Sequence, residues 1–441
     1  MRIAYFSPFN PQKSGVSDYS EELLPHMARY MEIDVYVENC VPTNREIADS
    51  FRLCHMNQYQ SIIKSRGEYD TNIYHIGNNG ACHTNIYRHA LQYPGIIVLH
   101  DLCIHHMIAN MTLDHGKKDE YVAEMAYCHG EKGRAVAEAY LRGEIMMPWE
   151  SDAMAFPLNK RLVDASRGVI AHSYYVRNSI KRQRIDVPVR RINFHSLEIA
   201  EDPIETYKEA RKALGIDDRE IMIASFGFMN LSKRIDKILA AVAQLCKDGY
   251  RFKYFVVGGE LGPDMLKFID EVGIPPGVVN STGFLNLNEG FLLYMRAADI
   301  ACNLRYPVHG ETSSTLHRLL GMGKPILVSD AGSFKEYPDS AVSKIAVSET
   351  EEDEIYTSLK ALITDKAKRL AFGEAAYQYA RENLAVERTA RDYFEFISDV
   401  VKNRFRYETL IEQLAHGMAA LGLTEADTLL RDISELIAGL S

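Results

Sequence analysis

The sequence contains no run of about 20 apolar residues, which excludes a membrane-spanning helix. Its first apolar run, Ile3–Phe6, is too short for the core of a signal peptide and is better interpreted as a strand. Cysteine is scarce, with seven residues in 441. The seven are odd in number, scattered along the chain and without a Cys-x-x-Cys pair. They are expected to be buried free thiols in a reducing cytoplasm. Basic charge is also in deficit, because the net charge is -10, and this argues against nucleic-acid binding.

The composition is otherwise that of an ordinary globular protein, with 46% hydrophobic and 25% charged residues. The 15 prolines and 28 glycines exclude collagen-like and largely disordered chains. At roughly 100–200 residues per domain, the 441 residues predict two or three domains.

Short apolar runs alternate with segments of helical apolar spacing along most of the chain. Continuous apolar runs are typical of strands buried on both faces, and their alternation with helices indicates parallel sheets. Two such series predict an α/β protein with two doubly wound domains. The predicted strands are Ile3–Phe6, Ile33–Val37, Asn72–His75, Gly95–Leu99 and Gly168–Ala171 in the first half, and Ile221–Phe226, Lys253–Val257, Val278–Thr282, Asp299–Cys302, Pro325–Val328 and Lys344–Val347 in the second.

Three further segments shape the predicted organisation. The acidic, polar stretch Ser196–Glu220 is interpreted as the seam and linker between the halves. A helical insertion is expected at about Ile104–Ser166, and the chain after Thr350 is expected to be helical to its end. Residues 404–441 carry an apolar stripe at helical spacing, which predicts a hairpin that packs on the main body or forms a homodimer or partner contact.

Ligands bind beyond the carboxyl ends of the strands in a doubly wound domain, so the loops there are the places to search. Gly15 precedes a predicted helix, where an anion could approach backbone N–H groups, although a plain strand-to-helix turn fits equally well. His100 follows a strand and could hydrogen-bond a hydroxyl-rich ligand. A zinc site with His105 and His106 is disfavoured, because their spacing does not put three ligands on one helical face.

The second half carries two loops with the chemistry of phosphate and sugar binding. Lys233 follows a strand and opens a helix, so its ammonium could meet a phosphate or simply be solvated. Thr312 or Ser313 is a natural N-cap, and the free N–H groups behind it suit a diphosphate. Glu311 beside that anion is best explained as an acceptor for sugar hydroxyls, the alternative being a helix-starting carboxylate.

These residues resemble the GT-B glycosyltransferases of the large retaining family that includes lipopolysaccharide, sucrose and phosphatidylinositol-mannoside synthases. The likeness extends to about residue 400 and is greatest for bacterial polysaccharide-type members with GETS, here Gly310–Ser313, and VLHD, here Val98–Asp101. It implies two Rossmann-like domains facing across a cleft, with the nucleotide sugar on the second and a glycan or lipid-linked acceptor on the first. The implied divisions are 1–197, 198–380, a crossover helix at 381–403 that returns to the first domain, and the tail 404–441.

The resemblance also implies roles for individual residues. Lys233 matches the lysine on the donor diphosphate, Glu311 the acidic residue on the sugar hydroxyls, and His100 the histidine near the transferred sugar. No cofactor is implied beyond the UDP- or GDP-linked sugar substrate, and no metal is expected, because no Asp-x-Asp lies in a suitable loop. The expected donor-binding residues are Gly15, Gly227, Asn230, Arg234, Gly283, Phe284, Gly310, Thr312, Ser313 and Ser314.

Two positions depart from the family pattern. Phe228 stands where many members have a basic residue, which leaves the diphosphate charge to Lys233, backbone N–H groups and either Arg234 or Arg305. Arg318 stands where the family tends to place a glutamate on the ribose, so the ribose contact is in doubt.

Two regions bear on the acceptor and on location. The aromatic side chains of the insertion could form an acceptor wall or a core. The basic segment Arg177–Arg191 could lie against an anionic inner membrane surface or be a solvated helix face. The expected location is the cytoplasm, and it would be peripheral to the membrane in the first of these cases. The insertion aromatics are Tyr121, Tyr127, Tyr140 and Trp149.

Two other functions remain open from the sequence. A sugar-nucleotide 2-epimerase shares the GT-B fold but usually has more acid and base residues than Glu311 and His100. A non-catalytic glycosyltransferase-like subunit would explain the departures at Phe228 and Arg318, whereas Lys233, Glu311 and His100 argue against it.

Overall fold

The buried apolar runs form two separate parallel sheets in the computed structural model, which describes residues 1–12, 14–38, 41–151, 153–199, 202–217, 219–227 and 230–404. The first sheet has the order β3-β2-β1-β4-β5-β6-β7 and the second has β10-β9-β8-β11-β12-β13. The strands are β1 (Arg2–Phe6), β2 (Glu32–Val37), β3 (Arg52–His55), β4 (Thr71–Ile76), β5 (Ile96–Leu99), β6 (Gly168–Ala171), β7 (Val189–Arg191), β8 (Met222–Phe226), β9 (Lys253–Val257), β10 (Val279–Ser281), β11 (Ile300–Asn303), β12 (Ile326–Ser329) and β13 (Ser343–Ile345).

Helices connect the strands, as parallel pairing requires. The first sheet carries α1 (Gly15–Met27), α2 (Arg45–Ser50), α3 (Tyr59–Arg66), α4 (Gly80–Gln92), α5 (His105–Thr112), α6 (Lys118–Leu141), α7 (Pro148–Ser151), α8 (Lys160–Ala165) and α9 (Tyr174–Gln183). The remaining helices are α10 (Pro203–Leu214), α11 (Ile235–Lys247), α12 (Pro263–Glu271), α13 (Leu292–Ala297), α14 (Ser314–Gly321), α15 (Glu351–Thr364), α16 (Lys366–Asn383) and α17 (Val386–Val401).

The chain divides into two compact units. Among the described residues the first comprises Met1–Ser151, Ala155–Ile192 and residues 390–404, and the second comprises Asn193–Thr389 with residues 153–154. Most of α17 belongs to the first unit. Its Tyr393 contacts Tyr19 of α1, with the two hydroxyls 2.8 Å apart. The return to the first unit therefore falls inside the segment 381–403, and the predicted hairpin after Arg404 lies outside the described residues.

The sequence prediction of two doubly wound domains is confirmed, since both sheets are parallel and both reverse strand order beside their first strand. All eleven predicted strands are present: Gly168–Ala171 and Lys253–Val257 have the predicted bounds, and the bounds of the other nine differ by one or two residues. Two strands were missed, β3 and β7. Both are short, polar edge strands, and their residues are less buried than those of the inner strands.

The segment interpreted as a linker is instead partly helical and packed. Asp202 caps α10 by accepting hydrogen bonds from the N–H groups of Ile204 and Glu205, both at 2.9 Å. Arg211 of this helix is fully buried and pairs with Asp299 at 2.8 Å. A buried cation with a carboxylate partner ties this segment into the second unit, which its polar composition did not reveal.

The other sequence expectations have mixed outcomes. The insertion is helical, as predicted, through α5 to α8, and helices continue from α15 to the end of α17. None of the described cysteines forms a disulfide, and Cys54, Cys103 and Cys302 are buried. Within the described ranges no helix combines the length and apolarity needed to cross a bilayer.

Candidate functional site

The second sheet reverses its strand order between β8 and β11, and its candidate residues follow these two strands. A crevice forms at such a reversal, because the flanking connections leave on opposite faces of the sheet. The loop after β8 leads to Lys233, and the loop after β11 leads to Glu311. The two loops are joined where the N–H of Tyr306 donates to the carbonyl of Ser232 at 2.7 Å.

Lys233 holds its ammonium at the very end of β8. Its Nζ donates a hydrogen bond to the carbonyl of Phe226, and the side chain is buried. Burial lowers the pKa of Lys233 well below its usual value, and the charge of Arg305 lowers it further. Among the described residues no carboxylate pairs with Lys233, so the site lacks a counter-ion that a bound anion would supply.

The loop around Lys233 depends on Gly227. This glycine has a φ of +90°, and a β-carbon there would lie 2.6 Å from the lysine Nζ. Asn230 is exposed and its Oδ1 accepts from the hydroxyl of Ser232 at 2.7 Å. Phe228, one of the two departures, lies outside the described residues.

Arg234 is committed to a different partner from the expected diphosphate. Its guanidinium forms a two-pronged ion pair with Glu351, with Nε lying 3.1 Å from Oε1 and Nη2 contacting Oε2. The Glu351 side chain is only 2% exposed, so the arginine neutralises a buried carboxylate at the start of α15. Arg305 remains the second cation near Lys233.

Glu311 lies in a tightly held turn before α14. Its Oε2 accepts the N–H of His309 at 2.6 Å, and its carbonyl accepts the hydroxyl of Ser333 at 2.6 Å. Gly310 permits this turn with a φ of +75°. The other carboxylate oxygen, Oε1, makes no hydrogen bond with any described residue. The carboxylate is therefore oriented by its own loop and half-buried, and its Oε1 can accept a hydrogen bond from a hydroxyl group.

The start of α14 has the predicted cap. Ser313 accepts the N–H of Leu316 at 3.2 Å and donates to Oδ1 of Asn303 at 3.1 Å. Thr312 and Ser314 flank this cap and are half-buried. The first-turn N–H groups of the eight-residue helix lie next to Glu311 in the chain, where an anion would gain from the helix dipole.

The glycine loop after β10 lies at the carboxyl end of the same sheet. Thr282 fixes it, because its hydroxyl accepts the N–H of Gly258 at 3.0 Å and donates to the carbonyl of Gly283 at 2.9 Å. Gly283 has a φ of +66°, and Phe284 is 52% exposed. The loop thus presents backbone and one aromatic ring, which suits a flat base.

Gly15 and His100 belong to the first unit. Gly15 is the exposed first residue of α1, with Ser14 as its cap. His100 is buried after β5, and its Nε2 lies 2.9 Å from Nδ1 of His75. His172 lies against the same ring, with the ring centroids 5.1 Å apart. Sequence reasoning missed His75 and His172, although both lie where predicted strands end.

Arg318 is buried and structural. Its Nη1 lies 3.6 Å from Oε1 of Glu198, whose other oxygen pairs with Arg296 at 3.0 Å. A β-carbon on Gly321 of the same helix would lie 2.6 Å from the Glu198 carbonyl, so α14 and residue 198 are in close contact. The arginine therefore ties α14 to the start of the second unit.

The aromatic side chains of the insertion mostly form a hydrophobic core, which was the alternative to an acceptor-binding surface. Tyr121 and Trp149 are buried, and Tyr140 packs edge-on against Trp149 with centroids 5.2 Å apart. His105 joins this core by a hydrogen bond of 2.8 Å between its Nε2 and the Tyr121 hydroxyl. Tyr127 is 42% exposed and donates to Asp164.

The basic segment is partly neutralised by its own surroundings. Arg184 pairs with Asp186 at 3.2 Å, and Arg190 pairs with Asp399 at 3.1 Å. Arg191 lies over the ring of Tyr174 at 4.6 Å. These contacts support a structural role for half of the predicted cationic surface.

Comparisons with known proteins agree with this arrangement. Residues 206–379 match the family model "Glycosyl transferases group 1". No curated protein sequence matches the chain. Among solved structures it is similar to HepE from Anabaena in complex with UDP and glucose, with 14% identity and a TM-score of 0.61 over 90% of this chain and 100% of that chain.

Two further structures show the same likeness. Sucrose-phosphate synthase from Thermosynechococcus elongatus has 13% identity and a TM-score of 0.63 over 91% of this chain and 100% of that chain. WaaG, a glycosyltransferase involved in lipopolysaccharide biosynthesis, has 14% identity and a TM-score of 0.56 over 90% of this chain and 99% of that chain. At such identities the structures establish the fold, which is GT-B. The chain therefore has the GT-B fold, and residues 206–379 within it match the model of the group 1 glycosyl transferases.

Proposed function

We propose that the chain is a retaining glycosyltransferase that moves a hexose-type sugar from a nucleotide-diphosphate sugar to a hydroxyl acceptor. The acceptor would be a glycan or lipid-linked glycan in the synthesis of cell-surface polysaccharide or glycoconjugate. The observation that carries the proposal is the buried ammonium of Lys233, which no described carboxylate neutralises, at the strand-order reversal of the second sheet.

The donor diphosphate fits the positive groups of that crevice. Lys233 and Arg305 repel each other in the absence of an anion. A diphosphate between them would replace this repulsion by attraction, and the N–H groups of α14 would add hydrogen bonds. HepE binds UDP, so UDP-linked sugars are the first donors to test, followed by GDP-linked ones.

The transferred sugar fits Glu311. Its Oε2 is already engaged by the N–H of His309, which leaves Oε1 to accept a sugar hydroxyl. An ionised carboxylate accepts hydrogen bonds only, so it holds a hydroxyl-bearing ring and repels a second phosphate. On the family resemblance, His100 of the first unit would contact the same sugar.

The chemistry then needs electrostatic stabilisation more than a side-chain base. The bond from the anomeric carbon to the diphosphate oxygen breaks, and a bond to the acceptor oxygen forms on the same face. The acceptor's proton passes to a diphosphate oxygen. Lys233 and the α14 N–H groups stabilise the leaving charge, while Glu311 and His100 fix the sugar.

We propose that this transfer needs no metal ion. Among the residues that the structure describes, no group of three or more His, Cys, Asp or Glu side chains has the arrangement of a metal site. Transfer in EDTA should equal transfer in its absence. Loss of transfer in EDTA, restored by a divalent cation, would overturn this part of the proposal.

A panel of nucleotide sugars tests the function. The full-length protein is incubated with UDP- and GDP-linked hexoses, and nucleotides are separated by chromatography. Slow release of the free nucleoside diphosphate, accelerated by an acceptor, supports transfer. Interconversion of nucleotide sugars identifies an epimerase. Binding and turnover of none of them would support a non-catalytic subunit.

A further inference from the structure

Three buried histidines line the carboxyl ends of neighbouring strands in the first unit. His75 lies in β4, His100 follows β5 and His172 follows β6. The ring of His100 contacts both others, with centroids 5.2 Å from His75 and 5.1 Å from His172. The ring of Tyr19 completes the cluster, with its plane at 79° to that of His100 and the two centroids 4.9 Å apart.

The proton of His75 can be located from its surroundings. The side chain is fully buried, and burial lowers the pKa of His75 well below its usual value, with His172 and His83 adding to the effect. The ring is therefore neutral and carries one N–H. Its Nε2 is buried and has no hydrogen-bond partner among the described residues.

The one N–H of His75 belongs on Nδ1. A proton on Nε2 would leave a buried N–H without an acceptor, which is rarer in proteins and costlier than an unused lone pair. A proton on Nδ1 instead points at Nε2 of His100, 2.9 Å away. His75 is thus the donor of this hydrogen bond and His100 the acceptor.

The consequence for His100 is a fixed tautomer. Its Nε2 must offer a lone pair to His75, so its own proton resides on Nδ1. The hydrogen bond and the packed ring of Tyr19 also restrict the orientation of the His100 ring. The remaining histidine, His172, has its Nδ1 3.0 Å from the carbonyl of Ile192, so it too has a defined tautomer.

We propose that His75 is a positioning residue whose Nδ1–H sets the tautomer and the ring orientation of His100. This inference rests on the proposed function, in which His100 contacts the transferred sugar. A ring that must present one nitrogen in one direction gains from such a partner, since small misplacements of a positioning group cost up to about 10²-fold in rate.

His75 could instead be only a packed aromatic ring, because its centroid lies 4.6 Å from that of Tyr5. Two substitutions separate these roles. His75→Leu keeps an apolar side chain in the core and removes the donor. His75→Asn has less volume, but its amide N–H can occupy the position of Nδ1.

The experiment combines histidine side-chain NMR with transfer kinetics on the full-length protein, labelled with ¹⁵N in histidine. The wild type should show His100 protonated at Nδ1 and not at Nε2. His75→Leu should lose this preference and lower kcat by about 10- to 100-fold, with little change in the KM for the donor. His75→Asn should keep the tautomer and recover most of kcat.

The outcomes that overturn the inference are distinct. Protonation of His100 at Nε2 in the wild type would remove its basis. Equal kcat in His75→Leu and the wild type, or equal losses in the Leu and Asn variants with matched unfolding temperatures, would make His75 a packing residue. The NMR measurement needs no substrate. A wild type that transfers no sugar would therefore contradict the proposed function, while the NMR spectrum would still decide the tautomer of His100.

Discussion

Lys233 lies so close to Gly227 that a β-carbon on the glycine would be 2.6 Å from the lysine Nζ. The position of the Lys233 ammonium therefore depends on Gly227, because any larger side chain there would occupy the space of the ammonium. The hydrogen bond from Nζ to the Phe226 carbonyl fixes the ammonium at the end of β8.

Gly227→Ala should displace Lys233 and lower transfer by about 10²–10³-fold, the loss expected from removing one preorganised donor and the loss also expected for Lys233→Ala. The matched control is Gly249→Ala. Gly249 has a similar φ of +84°, but a β-carbon there meets nothing within 4 Å. Backbone strain of about 1 kcal/mol should affect both variants, so equal activities would contradict the role of Gly227.

Donor binding should take up protons through Lys233. Burial lowers the pKa of Lys233 in the unoccupied site, and a bound diphosphate should raise it again. A pKa that rises on binding means uptake at any pH between the two values, so affinity should fall as pH rises through that range. Calorimetry of UDP binding at mildly alkaline pH, in buffers of different ionisation enthalpy, measures the uptake.

Lys233→Met is the control for this measurement. It should bind UDP more weakly and show no dependence on the buffer. A wild type whose binding enthalpy is the same in every buffer would show that Lys233 does not change its protonation state.

Glu311→Gln should separate sugar contacts from nucleotide contacts. The amide keeps the shape and an acceptor for His309, but loses the charge that strengthens hydrogen bonds to sugar hydroxyls. Transfer should fall about 10- to 100-fold, because hydrogen bonds to charged groups contribute about 1.5–3 kcal/mol. UDP should bind equally or more tightly, since a negative charge beside the diphosphate is gone.

Steady-state transfer and UDP calorimetry check the Glu311 prediction together. Glu271→Gln serves as a control, because that exposed carboxylate contacts only the nearby Lys267 among the described residues. A loss of UDP affinity as large as the loss of transfer would place Glu311 on the nucleotide instead of the sugar.

Arg234→Met should destabilise the protein, because it leaves the Glu351 carboxylate buried without a partner. Breaking a buried ion pair on one side costs about 3–5 kcal/mol in the free energy of unfolding. The double variant Arg234→Met with Glu351→Leu should recover most of that loss. Urea unfolding of the three proteins measures it, and a single variant as stable as the wild type would refute the buried pair.

Strands that are buried along their whole length could be predicted from the sequence. The run Met222–Phe226 is buried along its whole length, and such runs can be recognised without knowing their neighbours. The edge strands β3 and β7 contain both buried and partly exposed residues, and the two arginines of Val189–Arg191 resemble part of a cationic surface. Edge strands owe their conformation to one neighbour, which local sequence does not identify.

In the candidate site, too, features set by the local sequence could be predicted and features set by distant residues could not. The capped turn at Ser313 and the glycine at Gly227 follow from local chain geometry, so their sequence signals could be interpreted. The partner of Arg234 is 117 positions away in the chain, and no local pattern could show that its charge is already neutralised. His75 was hidden because it completes an apolar strand, and its role emerges only from the 2.9 Å contact with His100.

Retaining transfer can be observed by proton NMR of a single reaction that contains the protein, the accepted nucleotide sugar and water or an acceptor. We expect release of the nucleoside diphosphate together with a first-formed sugar product whose anomeric configuration is that of the donor. An inverted product, an epimerised nucleotide sugar, or no release from any UDP- or GDP-linked hexose would contradict a retaining glycosyltransferase.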